Sequence, residues 1–99
     1  MLYPIKTKDP ASALDFKFDW GSDKATAPWL EPGETIQTHI VTVTAGLTKD
    51  SDLVGDAGRS VIVWLSGGTA GTTYIVTCTI TTNTSRTDVR RMSIHVQNR

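Results

Sequence analysis

The sequence predicts an all-β protein that folds as an antiparallel sandwich. Threonine is its commonest residue and, with valine and isoleucine, gives the chain a high content of β-branched side chains, which favour strands over helices. Several segments alternate apolar and polar residues with a period of two, and none shows a helical period. Turn residues separate these segments about every dozen residues, as in small sandwiches. The 99 residues are enough for one compact core and too few for two.

The N-terminal part predicts an arm, a strand and a loop. Residues 1–13 contain two prolines and no period, so we expect an extended arm, followed by a single sandwich domain at residues 14–99. Residues 14–20 alternate strictly between apolar and charged side chains, which predicts a half-buried strand. Residues 21–33 are rich in proline, glycine and small polar side chains, and this composition is typical of a loop.

The middle of the chain predicts two or three further strands. In residues 35–45 the apolar side chains change parity, so we expect a strand with a β-bulge near positions 38–39. Residues 46–58 mix strand and turn features, and the acidic cluster at 50–52 is interpreted as a turn. Residues 61–65 are apolar on both parities, which predicts a short strand covered on both sides.

The C-terminal third predicts a β-hairpin. Residues 73–82 and 86–96 both alternate, and the polar residues 83–85 connect them. In the last strand Arg91 is expected to face away from the core, and Arg90 therefore points to the opposite face. The expected inward residues of the two strands are Tyr74, Val76, Cys78, Ile80, Met92, Ile94 and Val96.

One aromatic position extends this prediction to an immunoglobulin-like sandwich of about seven strands. Such folds carry a tyrosine near the start of the penultimate strand, with its hydroxyl bonded back to the preceding corner. Tyr74 lies at that position, although an ordinary core aromatic is the alternative interpretation. Trp64 lies on the preceding strand, where we expect the buried tryptophan of the fold. Cys78 has no partner cysteine, so no internal disulfide forms, in keeping with synthesis in a reducing cytoplasm.

Residues that could support catalysis or metal binding are few and scattered. The two histidines, His39 and His95, lie on separate predicted strands, whereas zinc sites take three or four ligands. The sequence has neither a nucleophile elbow nor a phosphate-binding loop. We therefore expect no enzyme activity, no catalytic or metal-binding residue and no cofactor. The balance of ten basic and ten acidic residues argues against nucleic acid as a partner, and no apolar run is long enough to predict a membrane span.

The remaining features indicate protein–protein contacts. Three tryptophans exceed what a small core needs, and tryptophan and arginine often anchor interfaces. Residues 1–56 carry a net charge of −4 and residues 57–99 one of +4, which suggests head-to-tail docking of copies or bridging of unlike neighbours. The alternative for the charges is that they are solvated and bind no partner. The alternative for Trp29, in its loop, is that it caps an open end of the sandwich. The candidate interface residues are Trp29, Leu30, Trp64, Arg86, Arg90 and Arg91.

Several runs of residues carry a family resemblance over about residues 8–96. The most specific run is residues 63–74, Val-Trp-Leu-Ser-Gly-Gly-Thr-Ala-Gly-Thr-Thr-Tyr, and it continues to Arg86-Thr87-Asp88. Weaker matches, in the same order, are Lys8-Asp9-Pro10, Leu14-Asp15-Phe16, Asp19-Trp20, Trp29-Leu30 and Gly33-Glu34-Thr35-Ile36. Together they resemble small virion proteins of tailed bacteriophages, the fiber–tail adaptor family. The loop at 21–28 is longer than the family pattern, and residues 83–85 replace a turn expected to contain glycine.

The resemblance implies an immunoglobulin-like fold and a structural role in the phage particle. It implies that the protein is made in the host cytoplasm and becomes part of the virion, where it joins tail and fiber (or neck) proteins. Partners would be other phage structural proteins, with several copies in a symmetric assembly, and neither nucleic acid nor membrane. The alternatives are an immunoglobulin-like capsid decoration, a bacterial surface or carbohydrate-binding module, and a small enzyme or metal protein.

Overall fold

The computed structural model describes residues 5–21 and 29–98, and all the regular secondary structure in these ranges is β-strand. Seven strands form two sheets, with the orders β1-β7-β6-β3 and β2-β5-β4. Strand β1 pairs in parallel with β7, and every other pair is antiparallel. The strands are β1 Ile5–Lys8, β2 Ala13–Asp19, β3 Ile36–Val43, β4 Leu47–Gly55, β5 Ser60–Gly67, β6 Thr73–Thr82 and β7 Thr87–Val96.

The strand order is that of an immunoglobulin-type sandwich. Such a sandwich places its second, fifth and fourth strands in one sheet and its third, sixth and seventh in the other. The orders β2-β5-β4 and β3-β6-β7 are the same, and β1 extends the second sheet. The all-β, immunoglobulin-like class predicted from the sequence is confirmed.

The tyrosine corner is present. The Tyr74 side chain is 4% exposed, and its hydroxyl oxygen accepts a hydrogen bond of 2.9 Å from the backbone N–H of Thr69. This N–H is the largest cause of a lowered pKa of the phenol, because it stabilises the charged oxygen. The bond fixes the β5–β6 connection against the start of β6, as the sequence predicts.

The buried tryptophan is Trp20 and not the predicted Trp64. The alternation of β5 turns Val61, Val63 and Leu65 inward, so Trp64 points outward and is 39% exposed. Trp20, directly after β2, is 0% exposed, and its indole Nε1–H donates to Asp88 Oδ2 at 2.8 Å. The prediction for Trp64 was wrong because both parities of β5 are apolar, and only the register decides which of them meets the core. The core consists of Phe18, Trp20, Leu30, Ile36, Val41, Leu47, Val61, Val63, Leu65, Tyr74, Val76, Cys78, Ile80, Met92, Ile94 and Val96.

The acidic cluster predicted to be a turn lies inside a strand. Residues 50–52 belong to β4, which pairs with β5 along its whole length. The register shifts between Lys49 and Ser51, and this irregularity explains why no clear alternation marks the strand in the sequence. The bulge expected in β3 is observed between Ile36 and Thr38.

The predicted N-terminal arm contributes a strand to the sandwich. Residues 5–8 form β1 and pair with Ser93–Val96 of β7, while residues 1–4 lie outside the described ranges. The domain boundary at residues 13 and 14 stays a prediction. The expectation of an unusually long loop falls largely on residues 22–28, which also lie outside the described ranges.

Candidate protein-interaction surfaces

The sandwich presents two ends and two broad faces, which have different chemistry. Asp19 pairs with Ser60 and Ala13 with Ser66, so the β2–β3, β4–β5 and β6–β7 connections share one end. We call this the loop end, comprising residues 29–35, 56–59 and 83–86. The opposite end, here the corner end, comprises residues 9–12, 44–46 and 68–72. The outer sides of the sheets β1-β7-β6-β3 and β2-β5-β4 are called the four-stranded face and the three-stranded face.

A buried carboxylate holds the loop end together. Glu34 is 1% exposed, and both of its oxygens are bonded to the guanidinium of Arg86, through Nη2 and through Nε at 2.9 Å. The hydroxyl of Thr82 donates to Oε2 at 2.6 Å, and that of Thr84 donates to the same oxygen. These bonds, above all those from Arg86, hold the pKa of Glu34 well below its usual range and raise that of Arg86. The carboxylate therefore ties the β2–β3 connection to the β6–β7 hairpin.

Two further arginines fasten the same end to the core. Arg59 donates to the carbonyl oxygens of Gly21, Glu34 and Leu30, the last two at 3.2 Å. Arg90 lies 4.9 Å above the ring of Trp20. It also donates to the Asp19 carbonyl at 2.8 Å and pairs with Asp88 at 3.5 Å. The carbonyls bonded by Arg59 belong to residues of the β2–β3 connection, outside the hydrogen-bond ladders of the strands. The arginine therefore supplies the hydrogen bonds that they need.

Three arginines of the basic C-terminal part bond other groups of the described chain. The basic C-terminal part supplies Arg86, Arg90 and Arg59, which turn toward Glu34, Asp88 and backbone carbonyls. Arg91 is different, because it is exposed and makes no ion pair with any described residue. Most of the positive charge that suggested docking between copies is therefore used to close the loop end.

The corner end is held by backbone contacts, a tyrosine and a buried lysine. Lys8 is 0% exposed, and its ammonium donates to the carbonyls of Asp9 and Gly67, both at 2.8 Å. The N–H of Gly71 donates to the Val96 carbonyl at 2.7 Å. This end thus has a fixed shape without a salt bridge of the Glu34 type.

The three-stranded face combines apolar and acidic side chains. In register across β5, Asp15 and Ser51 flank Trp64, while Lys17 and Leu53 flank Ile62. Leu53 is 45% exposed and Trp64 39%. The strand that the sequence predicts to be covered on both sides is thus covered on only one by the described residues.

The four-stranded face is rich in threonine and has no acidic side chain on its outward parity. Ile40, Thr79 and Val89 follow one another across β3, β6 and β7 in register, and Thr77 lies beside Arg91. Ile40 is 66% and Val89 40% exposed. The outward threonines of its four strands are Thr7, Thr38, Thr42, Thr73, Thr77, Thr79, Thr81 and Thr87.

The structure places the six predicted interface residues in three different regions. Trp29 and Arg86 lie together at the loop end, with the guanidinium carbon 4.0 Å from the ring centroid. Leu30 also belongs to that end but is only 3% exposed, so its side chain offers no surface to a partner. The tryptophan of β5 lies on the three-stranded face, and the two arginines of β7 point to opposite sides, Arg90 onto Trp20 and Arg91 outward. Their role in binding partners stays a prediction.

Sequence reasoning missed Glu34, whose side chain has more polar partners than that of any residue predicted for the site. It lies in an irregular Pro-Gly-Glu segment, where no period distinguishes a buried side chain from a solvated one. Its partners Arg86 and Thr82 lie about fifty residues away. The excess of arginine in the C-terminal half was the available signal, and it was interpreted as docking or as solvated charge and not as internal pairing.

The residues weighed as metal ligands lie apart or have other partners. His39 Nε2 lies 2.6 Å from Asp52 Oδ1, and hydrogen bonds from Lys49 and then His39 lower the pKa of Asp52. Burial raises the pKa of the Cys78 thiol to about 12. Among residues 5–21 and 29–98, no three His, Cys, Asp or Glu side chains are grouped to hold a metal ion. The described part of the chain also has no helix with the length and apolar character of a membrane span.

Comparison with protein-family models matches residues 8–95 to the podophage GP4 fiber-tail adaptor protein gp77. The chain belongs to this family. The match covers strands β2 to β6 and all of β7 but its last residue, together with both ends of the sandwich. No curated protein matches the chain.

Membership in the family confirms the resemblance seen in the sequence and its coarse functional meaning. The protein is a structural adaptor of a tailed phage, it binds other tail or fiber proteins, and it is part of the virion. An adaptor acts through contacts with other proteins, and which of these surfaces makes them is the subject of the proposals below.

Proposed function

We propose that the protein joins a tail protein to a fiber or neck protein by binding one of them at each end of its sandwich. The described chain measures 41 × 24 × 23 Å, so its two ends are well separated. The Glu34–Arg86 pair carries the proposal, because it fixes the shape of the loop end before any partner arrives.

Preorganisation favours binding at such an end. A loop that is already ordered loses little conformational freedom in a complex, and more of the contact energy then appears as affinity. Glu34 and the three inward-turned arginines hold the segment 29–35 and the hairpin 83–86 in one arrangement. Around them Glu31, Pro32, Asn83 and Ser85 are exposed, and Trp29 with its stacked arginine is partly accessible.

The corner end offers a surface of different chemistry. The residues of its β5–β6 connection, Thr69 to Thr72, are exposed and uncharged. Tyr74 and Lys8 hold the backbone there from below. Two rigid ends with different side chains suit two different neighbours, as the role of an adaptor requires.

Matched charge insertions at the two ends test the proposal. Glu31→Arg alters the loop end and Ala70→Arg the corner end, and both positions are exposed, so stability should change little. Binding to the purified tail and fiber or neck proteins of the same phage is measured by calorimetry or interferometry. We expect each variant to weaken one partner at least about tenfold and to leave the other unchanged.

Two results would contradict the two-ended arrangement. One is that both variants weaken the same partner, which would place a single binding site across the molecule. The other is that neither variant changes either affinity while a substitution on a broad face, such as Thr79→Arg, abolishes binding. Circular dichroism of every variant verifies that the sandwich is intact.

A further inference from the structure

The three-stranded face is more apolar than the outer face of a solvated sheet needs to be. Strand β5 is central in its sheet, and its outward residues Ile62 and Trp64 lie next to Leu53 of β4. In antiparallel sandwiches, outward positions are usually polar, giving a clean alternation. Here Leu53 and Trp64 are exposed and Ile62 is half-buried among the described residues, and an apolar row of this kind is typical of a contact with another molecule.

The charges beside this apolar row that have no partner of opposite sign among the described residues are negative. Asp15 lies directly across from Trp64, and it has no ion pair among the described residues. Asp50 accepts a hydrogen bond of 2.9 Å from Ser66 and has no basic partner in the described ranges. Lys17 is paired with Asp56 at 2.8 Å. A matching surface must therefore provide apolar area and a positive charge.

The four-stranded face of the same chain has both properties. Arg91 stands exposed on it without an ion pair among the described residues, and His95 lies on the same parity of β7. Val89 and Ile40 give exposed apolar area, and the threonines around them can be covered without burying a charge. Because no acidic side chain lies on the outward parity, nothing there repels the acids of the other face.

We propose that copies of the protein stack face to face, with the four-stranded face of one copy against the three-stranded face of the next. Arg91 then meets Asp15 and the ring of Trp64, forming an ion pair and a cation–π contact. The two faces of one chain are different, so the contact is heterologous and leads to a closed ring or an open filament. The arrangement rests on the proposed adaptor function and deepens it, because stacking through the faces leaves both ends free for the two neighbours.

The available area sets the strength of the contact. Three strands spaced about 4.8 Å apart and eight residues long give a flat area of about 400 Å² per copy. That is at the low end of specific interfaces, so a single pair of copies binds weakly and repetition around an assembly supplies the stability. The test must therefore detect neighbours at high protein concentration and cannot rely on mass in dilute solution alone.

Cross-linking between the two faces provides that test. Ser51→Cys places a thiol beside Trp64, and Thr77→Cys places one beside Arg91. With a short bismaleimide, the variant carrying both substitutions should give a ladder of covalent oligomers, and the mixture of the two single variants should give a heterodimer. Each single variant alone should stay monomeric, as should the parent chain, because Cys78 is buried.

Charge reversal shows whether the named residues make the contact. In the double-cysteine background, Arg91→Glu and Asp15→Arg should each abolish the ladder, and the two reversals combined in one chain should restore it. Efficient dimers from Ser51→Cys alone or Thr77→Cys alone would overturn the proposal in favour of like faces packing together. A ladder that is unaffected by either reversal, or the absence of any ladder, would also overturn it.

The adaptor function is tested separately in the same samples. If the cross-linked ladder is absent and the chain still binds its tail and fiber or neck proteins through the two ends, only the stacking is wrong. If the ladder forms and neither partner binds at an end, the two-ended arrangement is wrong and the stacking stands.

Discussion

The loop end and the corner end of the sandwich are closed by different interactions. At the loop end, Glu34 and Arg86 form a bidentate salt bridge, and Arg59 donates hydrogen bonds to three backbone carbonyls. At the corner end, the side chains of Tyr74 and Lys8 are hydrogen-bonded directly to the backbone, and hydrogen bonds within the turns complete the structure.

The difference follows from the lengths of the connections. Sixteen residues separate the end of β2 from the start of β3, whereas three separate β3 from β4 and five separate β5 from β6. Short connections are held by turn geometry and by the strands that flank them. A long connection has many backbone polar groups outside any ladder, and these need partners from side chains. The loop end depends on such partners, and the corner end depends on backbone conformation.

Breaking the carboxylate at the loop end should destabilise the sandwich strongly. Glu34→Gln removes the charge that faces Arg86 and weakens the bonds from Thr82 and Thr84. Losing one member of a buried pair is costly, although Arg86 is 39% exposed, so water reduces the effect. We expect the midpoint of thermal unfolding to fall by about 10 °C, as measured by circular dichroism.

The companion variants decide whether the pair itself is responsible. Arg86→Gln should cause a comparable loss, and the double variant Glu34→Gln/Arg86→Gln should lose clearly less than the sum of the two. Strictly additive losses would show that the two side chains stabilise the loop end independently.

At the corner end, replacing Gly68 by alanine should reduce the stability of the fold much more than the same change at Gly71. Gly68 has φ +93°, and a Cβ there would lie 2.7 Å from Val96 Cγ2, whereas Gly71 has φ +88° with nothing within 4 Å. Gly71→Ala should therefore cost about 1–2 kcal/mol for the backbone conformation alone. Gly68→Ala should cost about 3–4 kcal/mol because overpacking adds to that strain. Urea unfolding measures the free energy of unfolding of both variants, and an unchanged dependence of that free energy on urea concentration shows that only stability has changed.

A Gly68→Ala variant that is as stable as Gly71→Ala, or more stable, would contradict this description of the corner end. Val96 and the neighbouring side chains would then move aside without cost, and the corner would be less tightly packed than its contacts indicate.

The smallest expected effect is a pH dependence that distinguishes the two ends. In the folded state the bonds from Arg86 hold the pKa of Glu34 below its ordinary value, so the unfolded chain takes up the proton first as the pH falls. The stabilisation from Glu34 is therefore complete above about pH 5 and decreases progressively below it. The difference in unfolding free energy between the parent chain and Glu34→Gln should shrink from pH 6 to about pH 3.

A matched measurement sharpens this prediction. Gly68→Ala changes no titratable group, so its difference from the parent chain should stay constant over the same pH range. A Glu34→Gln difference that stays constant as well would show that the carboxylate is not held ionised by its partners.

Much of the fold could be predicted from local pattern. The strand at 73–82 has the predicted bounds, and Arg90 and Arg91 point to opposite sides as the period of two requires. Tyr74 could be assigned to a corner because its position relative to the strand is a local property. β4 was missed as one continuous strand because a register shift between Lys49 and Ser51 disturbs its alternation.

The amino-acid sequence by itself determined the class of fold, the alternation of each regular strand and the family, because all three depend on residues that are close together along the chain. Only the tertiary structure decided that Trp64 is exposed, because both parities of β5 are apolar and strand pairing selects which of them faces the core. It also decided that Arg86 binds Glu34 across about fifty residues of chain. Such a contact depends on where two distant segments meet, and a charge count along the sequence contains no distances.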